Sequence, residues 1–246
     1  MSDEKDVTPT VDCSSCPHRE DRLKRGRCHP GDVCVRAMSG RQIARFFTQN
    51  PDLAELYAGD EFWERRAISA RYLSQQRLLQ MLDDPDEVVR RVLAYRLPVN
   101  ELAGLLHDPD REVRITVADR LPVDQLEQLV DDEDYLVRHY VARRLKPGRL
   151  FRMITDPDRE VRKTVAARLP TESLGLMIDD TAAEIRMVVA ERIDSESLLP
   201  LLRDSDWRVR FTACQRAPLN HLELLLEDED EDVRAKARKR LGQQVE

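Results

Sequence analysis

Long apolar runs are missing from this chain: no stretch approaches about 20 uninterrupted apolar residues, which argues against a membrane span. Aromatic residues are scarce at 5%, and no segment shows the strict alternation of a half-buried strand. No P-loop, GxGxxG, HExxH or GxSxG occurs, and the five histidines are scattered, so a non-enzyme is the expectation. Excess positive charge is also lacking. A net charge of −7 argues against bulk nucleic-acid binding, which needs a basic surface to replace phosphate counterions. The first residues, MSDEKDVTPT, lack a basic segment followed by an apolar one, and a cytoplasmic location is the expectation. The 41% hydrophobic content, regularly placed, excludes a disordered chain.

Cysteine is scarce everywhere but one place. Cys13, Cys16, Cys28 and Cys34 fall within one short stretch, and only Cys214 lies outside it. In a reducing compartment such a cluster points to metal ligation rather than disulfides. Four thiolates suit a tetrahedral zinc or an iron–sulfur cluster. Cys13-x2-Cys16 is a short pair, whereas Cys28-x5-Cys34 is longer than the paired turns of structural zinc sites. That spacing, and Pro17 after Cys16, lean toward iron–sulfur. His18 and His29 adjoin ligand candidates and leave a mixed set open. From Cys13 to Arg45, eight basic residues (Arg19, Arg22, Lys24, Arg25, Arg27, Arg36, Arg41, Arg45) face only Glu20, Asp21 and Asp32. Such charge suits an anionic metal centre. It also permits a nucleic-acid contact, although interleaved aromatics are lacking.

The rest of the chain repeats. Units begin at Asp84, Asp108, Asp132, Asp156, Asp180, Asp204 and Asp228, each 24 residues after the last, and a degenerate copy begins at Asp60. Eight units that bury little alone must stack into an all-helical solenoid. In the second regular unit Asp108 is the expected N-cap, with Pro109 at the first helical position and the helix ending near Leu121, before Pro122. A shorter segment follows with Leu126, Leu129 and Val130 at i, i+3 and i+4, a pattern that fits an α- or a 3₁₀-helix.

Two arginine rows recur. Arg66, Arg90, Arg114, Arg138, Arg162, Arg186, Arg210 and Arg234 fall inside the apolar arc of each helix. Burying an unpaired guanidinium is very costly, so each should bridge to helix-start Asp or carbonyl groups of its own or an adjacent unit. A second row runs from Arg96 to Arg240 along the other edge of the arc. Variable positions carry Tyr135 with His139 and Trp207 with Phe211, pairs suited to anchoring a protein partner. Cys214 occupies a slot held elsewhere by Ala and reads as core.

The unit D-P-D-x-x-V-R-x-x-V-A-x-R-L-P-x-x-x-L-x-x-L-L-x resembles the leucine-rich repeat variant family across roughly residues 60–246. Its start also looks like short HEAT-type repeats, which usually need more than 24 residues. Ala182 and Arg238 depart from the pattern. The pattern of Cys13, Cys16, Cys28 and Cys34 is similar to the cluster domain that precedes such repeats. The resemblance implies alternating α- and 3₁₀-helices in a right-handed superhelix without strands, and a 4Fe-4S cluster on those four cysteines.

The expected organisation is a flexible N-terminus over 1–12, a cluster domain with joining helices over 13–59 (Met38–Tyr57, with Ile43, Phe46, Phe47, Leu53, Leu56 and Tyr57, forming one or two apolar-faced helices), and the repeat solenoid over 60–246. The expected function is an iron–sulfur repeat protein: a redox- or iron-responsive scaffold for a protein partner, or an electron-transfer partner. The alternatives are a zinc-stapled solenoid adaptor and a basic-loop nucleic-acid binder.

Overall fold

The computed structural model describes residues 11–242; most of the expected N-terminal segment, residues 1–10, lies outside them. The described residues are helical, with one isolated antiparallel bridge, His29 to Val33. The chain divides into two compact units at Leu121/Pro122.

The first unit holds the cysteine lobe, the joint and the first repeats. The joint is helix α1 (Gly40–Gln49) followed by a 3₁₀ turn, Pro51–Tyr57. Ile43, Phe46 and Phe47 are fully buried, and the two phenylalanine rings meet edge to face. Leu56, expected on the same apolar face, is 70% exposed. The tighter 3₁₀ winding buries Ala54 and Ala58 and turns Leu56 outward. Helix α1 packs on α2 (Trp63–Ser69), the helix of the degenerate repeat. Next come α3 (Gln75–Leu79), α4 (Glu87–Arg96) and α5 (Arg111–Arg120), with α2 against α4 and α4 against α5.

In the second unit α6 (Tyr135–Arg144), α7 (Arg159–Arg168), α8 (Ala183–Arg192), α9 (Trp207–Cys214) and α10 (Glu231–Arg240) pack each on the next, as in a solenoid. Between them run 3₁₀ segments such as Thr171–Met177 and Leu219–Leu225. Their buried residues lie three apart (Leu174 with Met177, Leu222 with Leu225), the spacing that a 3₁₀-helix stacks on one side. The α-helices contribute Val161, Val165 and Ala166 and their equivalents, all fully buried except Arg238, which takes the Ala166 position in α10. Cys214 is fully buried too, as a core residue in the Ala slot, and burial raises its thiol pKa.

In six of the seven regular units the cap is the second aspartate, not the first: Asp110 Oδ1 accepts from the N–H groups of Glu112 and Val113, and α5 begins at Arg111. The first aspartate stands two residues earlier, where Asp108 Oδ1 accepts the N–H of Asp110 in an Asx turn that presents the cap. That leaves its carboxylate facing an arginine. Arg90 donates from Nε to Asp108 Oδ2 at 2.7 Å and from Nη2 to Oδ1 at 3.0 Å, while its Nη1 reaches the Asp84 carbonyl at 2.7 Å. The arginine thus clamps the first aspartate of the following repeat and the carbonyl of its own. The same geometry joins Arg66 to Asp84, Arg138 to Asp156, Arg162 to Asp180, Arg186 to Asp204 and Arg210 to Asp228. Bidentate, fully hydrogen-bonded pairing is what makes a buried guanidinium tolerable. The aspartate hydrogen bonds raise the pKa of Arg138 against the opposing effect of burial. The second row works differently: Arg168 donates to the carbonyls of Ala142 and Leu145 at the end of the preceding helix, and burial alone lowers its pKa.

Candidate metal centre

A turn brings Cys13 and Cys16 together: the Cys16 N–H donates to the Cys13 carbonyl at 3.2 Å. A π-helical turn, Arg19–Leu23, then reverses the chain, and Gly26 (φ +68°) carries it back in a left-handed conformation that suits glycine. The second pair is built by the isolated bridge. His29 and Val33 exchange both backbone hydrogen bonds at 2.8 Å, and Gly31 (φ +82°) makes the turn between them. In an antiparallel pair the residues flanking a bridged position face each other, so Cys28 stands opposite Cys34. The Cys-x5-Cys spacing, which looked long in sequence, is a closed pair in space.

All four thiols are free of disulfides; Cys28 and Cys34 are buried, Cys13 and Cys16 half-buried. They lie close enough to sense one another's charge. Cys28 donates a hydrogen bond to Cys34, which with burial pushes the Cys28 thiol up. The same bond holds Cys34 down to about 6 against burial, helped by the backbone N–H groups of Arg36 and Ala37. Burial and the neighbouring Cys34 and Cys16 raise Cys13. Among the described residues no three His, Cys, Asp or Glu side chains close around a point as they would for a single ion. Zinc gathers its sulfurs at about 2.3 Å from one centre, whereas a multi-iron cluster takes one thiolate at each of several separated irons. Four sulfurs in mutual range, with Cys34 receiving the N–H groups of Arg36 and Ala37, are compatible with a group of that kind.

The histidines are otherwise engaged. His18 is buried against Phe46, and its Nε2 lies 2.6 Å from the Tyr57 hydroxyl; burial and then Arg22 lower its pKa. His29 donates from Nε2 to the Gly26 carbonyl at 2.9 Å. Much of the basic excess is paired: Arg22 with Asp21 and Asp52, Lys24 with Glu20, Arg25 with Asp21, and Arg45 with Asp32. Arg36 is the cation that bears on the thiols, lowering both Cys34 and Cys13 while donating to Ser15 Oγ at 3.1 Å.

Two side chains without a motif of their own hold the cysteine segments. Asn50, fully buried, donates from Nδ2 to the Arg27 carbonyl at 2.8 Å, one residue before Cys28. Arg65 donates from Nε to the Val35 carbonyl at 2.7 Å and from Nη2 to the Arg36 carbonyl at 3.3 Å, just after Cys34. A signal for Arg65 exists. It occupies the repeat position held elsewhere by Val89, Val113, Val137, Val161, Ile185, Val209 and Val233, every one of them fully buried.

Comparison with known proteins bears on this site and on the repeats. The signature described as "LRV protein FeS4 cluster" matches residues 8–56, and that described as "Leucine rich repeat variant" matches residues 111–134. A solved structure described as "a leucine-rich repeat variant with a novel repetitive protein structural motif" is 55% identical, covers 95% of this chain and 100% of its own, and superposes with a TM-score of 0.88. The chain belongs to the leucine-rich repeat variant family. It therefore carries that family's iron–sulfur cluster domain ahead of its repeats. A curated relative from Rhodobacter capsulatus, named as an uncharacterized 27.7 kDa protein in the nifB 3′ region, is 36% identical over 88 residues. That alignment spans 36% of this leucine-rich repeat variant chain and 36% of the relative's length. No helix among the described residues is long and apolar enough to cross a membrane.

Proposed function

We propose that Cys13, Cys16, Cys28 and Cys34 hold a 4Fe-4S cluster, and that the repeats present a surface to a protein partner that reads or uses the cluster's state. The observation carrying this reading is the convergence of four free thiols within the stretch that matches the FeS4 cluster signature. When bound, such a cluster supplies one-electron exchange. The chain's own residues would set its environment: the N–H groups of Arg36 and Ala37 and the Arg36 charge favour added electron density at Cys34. The partner surface includes the exposed Tyr135 and Trp207, each followed four residues on by a half-buried ring, His139 and Phe211. Reduced thiols of this kind suit the cytoplasm. The pairing of Arg22, Lys24, Arg25 and Arg45 with carboxylates weighs against a nucleic-acid contact.

Anaerobic purification with iron, sulfide and zinc analysis, followed by absorption and electron paramagnetic resonance spectra, tests the cofactor. Four irons and four sulfides per chain are expected, with a reversible redox signal. A colourless protein with stoichiometric zinc overturns the reading.

A further inference from the structure

The two cysteine pairs are held in different ways. Cys28 and Cys34 lie at the mouth of a bridged loop whose flanks are tied to other elements. On one flank Asn50, at the end of α1, holds the Arg27 carbonyl, and its Nδ2 also donates to the Phe46 carbonyl at 2.9 Å. On the other, Arg65 of α2 holds the carbonyls of Val35 and Arg36. Its guanidinium is itself fixed by Asp60 at 3.0 Å and by the Phe62 ring at 5.4 Å. The Cys34 N–H donates to the Gln42 carbonyl at 3.3 Å, adding a tie to α1. The Cys13–Cys16 turn is held mainly by bonds to its own neighbours: Cys16 to Cys13, Ser14 to Asp12, and Cys13 Sγ to the Val11 carbonyl at 3.7 Å. Among the described residues the exposed Arg36–Ser15 hydrogen bond links it to the body, and the chain re-enters the core at His18.

We propose that Arg65 and Asn50 are positioning residues that hold Cys28 and Cys34 as the preformed half of the metal site, and that the Cys13–Pro17 turn, hinged at His18, is the half that opens when a cluster enters or leaves. The break in the repeat pattern supports this independently. Seven units place Val or Ile at the Arg65 position, where it is fully buried core. The first unit faces the cysteine lobe there, and an arginine that reaches two backbone carbonyls replaces apolar packing with a directional clamp. Opening follows the weaker half, because a segment with few tertiary contacts opens at lower free energy than one tied on both flanks. In leaving, the thiolates of Cys13 and Cys16 give up iron to incoming thiolates of a carrier or small thiol and take protons from water, while Cys28 and Cys34 still hold.

The inference rests on the ligand assignment above, and its test separates the two. Amide hydrogen exchange on the full-length, reduced, metal-free chain reads the anchoring without any metal. Peptides covering 11–19 should exchange about tenfold or more faster than those covering 27–37, the difference of one or two hydrogen bonds. R65Q should speed exchange over 33–37 and N50D over 27–29, each by about tenfold, with R65K intermediate. Unchanged exchange in α1, α4 and α5, which belong to the same compact unit, shows that the variants fold. In the loaded protein, R65Q should release iron to a chelator about tenfold faster, since the preformed pair is loosened. Equal exchange in the two cysteine segments, or variants that leave 27–37 unaltered, overturns the anchoring. A chain without iron but with the expected exchange pattern overturns the ligand assignment alone.

Discussion

The cysteine lobe and the repeats solve the same problem, fixing polar groups inside a small core, by opposite routes. The repeats use one device over and over: an arginine of one unit grips the first aspartate of the next, and that aspartate presents the helix cap. The lobe uses contacts that each occur once, such as His18 with Tyr57, Asn50 with Arg27, and Arg65 with Val35. A repeated device makes stability a sum of similar terms, so no single junction decides whether the rest folds. A lobe of single contacts has no such redundancy. Its few elements also bury little area, which is the situation in which small domains use metal centres.

The sharpest break in this comparison is Cys28→Ser. Iron content should fall to background, while far-UV circular dichroism changes little, because α6–α10 make no use of that thiol. A collapse of helicity would mean the repeats depend on the metal. Next is Asp156→Ala in the ladder. It strands the Arg138 guanidinium, whose side chain is 9% exposed. Breaking one partner of such a pair costs about 3–5 kcal/mol, read by denaturant unfolding, with iron content unchanged.

A smaller effect compares repeats with one another. Ala182 stands where other units place the capping aspartate, and α8 lacks a side-chain cap. Ala182→Asp should stabilise by about 1 kcal/mol and Asp158→Ala should destabilise by a similar amount, both measured by denaturant midpoint. The smallest effect is electrostatic. Asp206 is lowered from 3.8 to about 2, chiefly by the Arg208 side chain and also by the Arg208 N–H. A carboxylate with a depressed folded pKa contributes stability above its unfolded pKa, and the contribution is lost as pH falls through the folded value. Arg208→Ala should therefore move the Asp206 midpoint, followed by NMR, upward toward 3.8. An unmoved midpoint would assign the shift to the backbone N–H instead.

The repeat helices were legible because their signals are local and recur. Val113, Val117 and Ala118 share a face by spacing, and a row of buried arginines required a matching acidic row on charge grounds alone. Which aspartate caps and which one pairs was not legible. Asp108 and Asp110 are chemically identical, and only the Asx turn between them assigns their roles. Leu56 misled for a related reason: a helical face drawn at about 100° per residue does not hold in a 3₁₀ turn.

Sequence alone was enough for the 24-residue period, the helical class and the membership of Cys214 in the core. These follow from periodicity, residue volume and chemistry, which a single unit or motif already contains. The tertiary structure decided that Arg66, Arg90, Arg138, Arg162, Arg186 and Arg210 reach forward into the next repeat, that Cys28 and Cys34 form a closed pair, and that Asn50 and Arg65 fix that pair. Each of these joins groups from separate segments. Whether a long side chain meets a carbonyl 29 or 30 positions away depends on how the backbone is placed, and no local pattern encodes that distance.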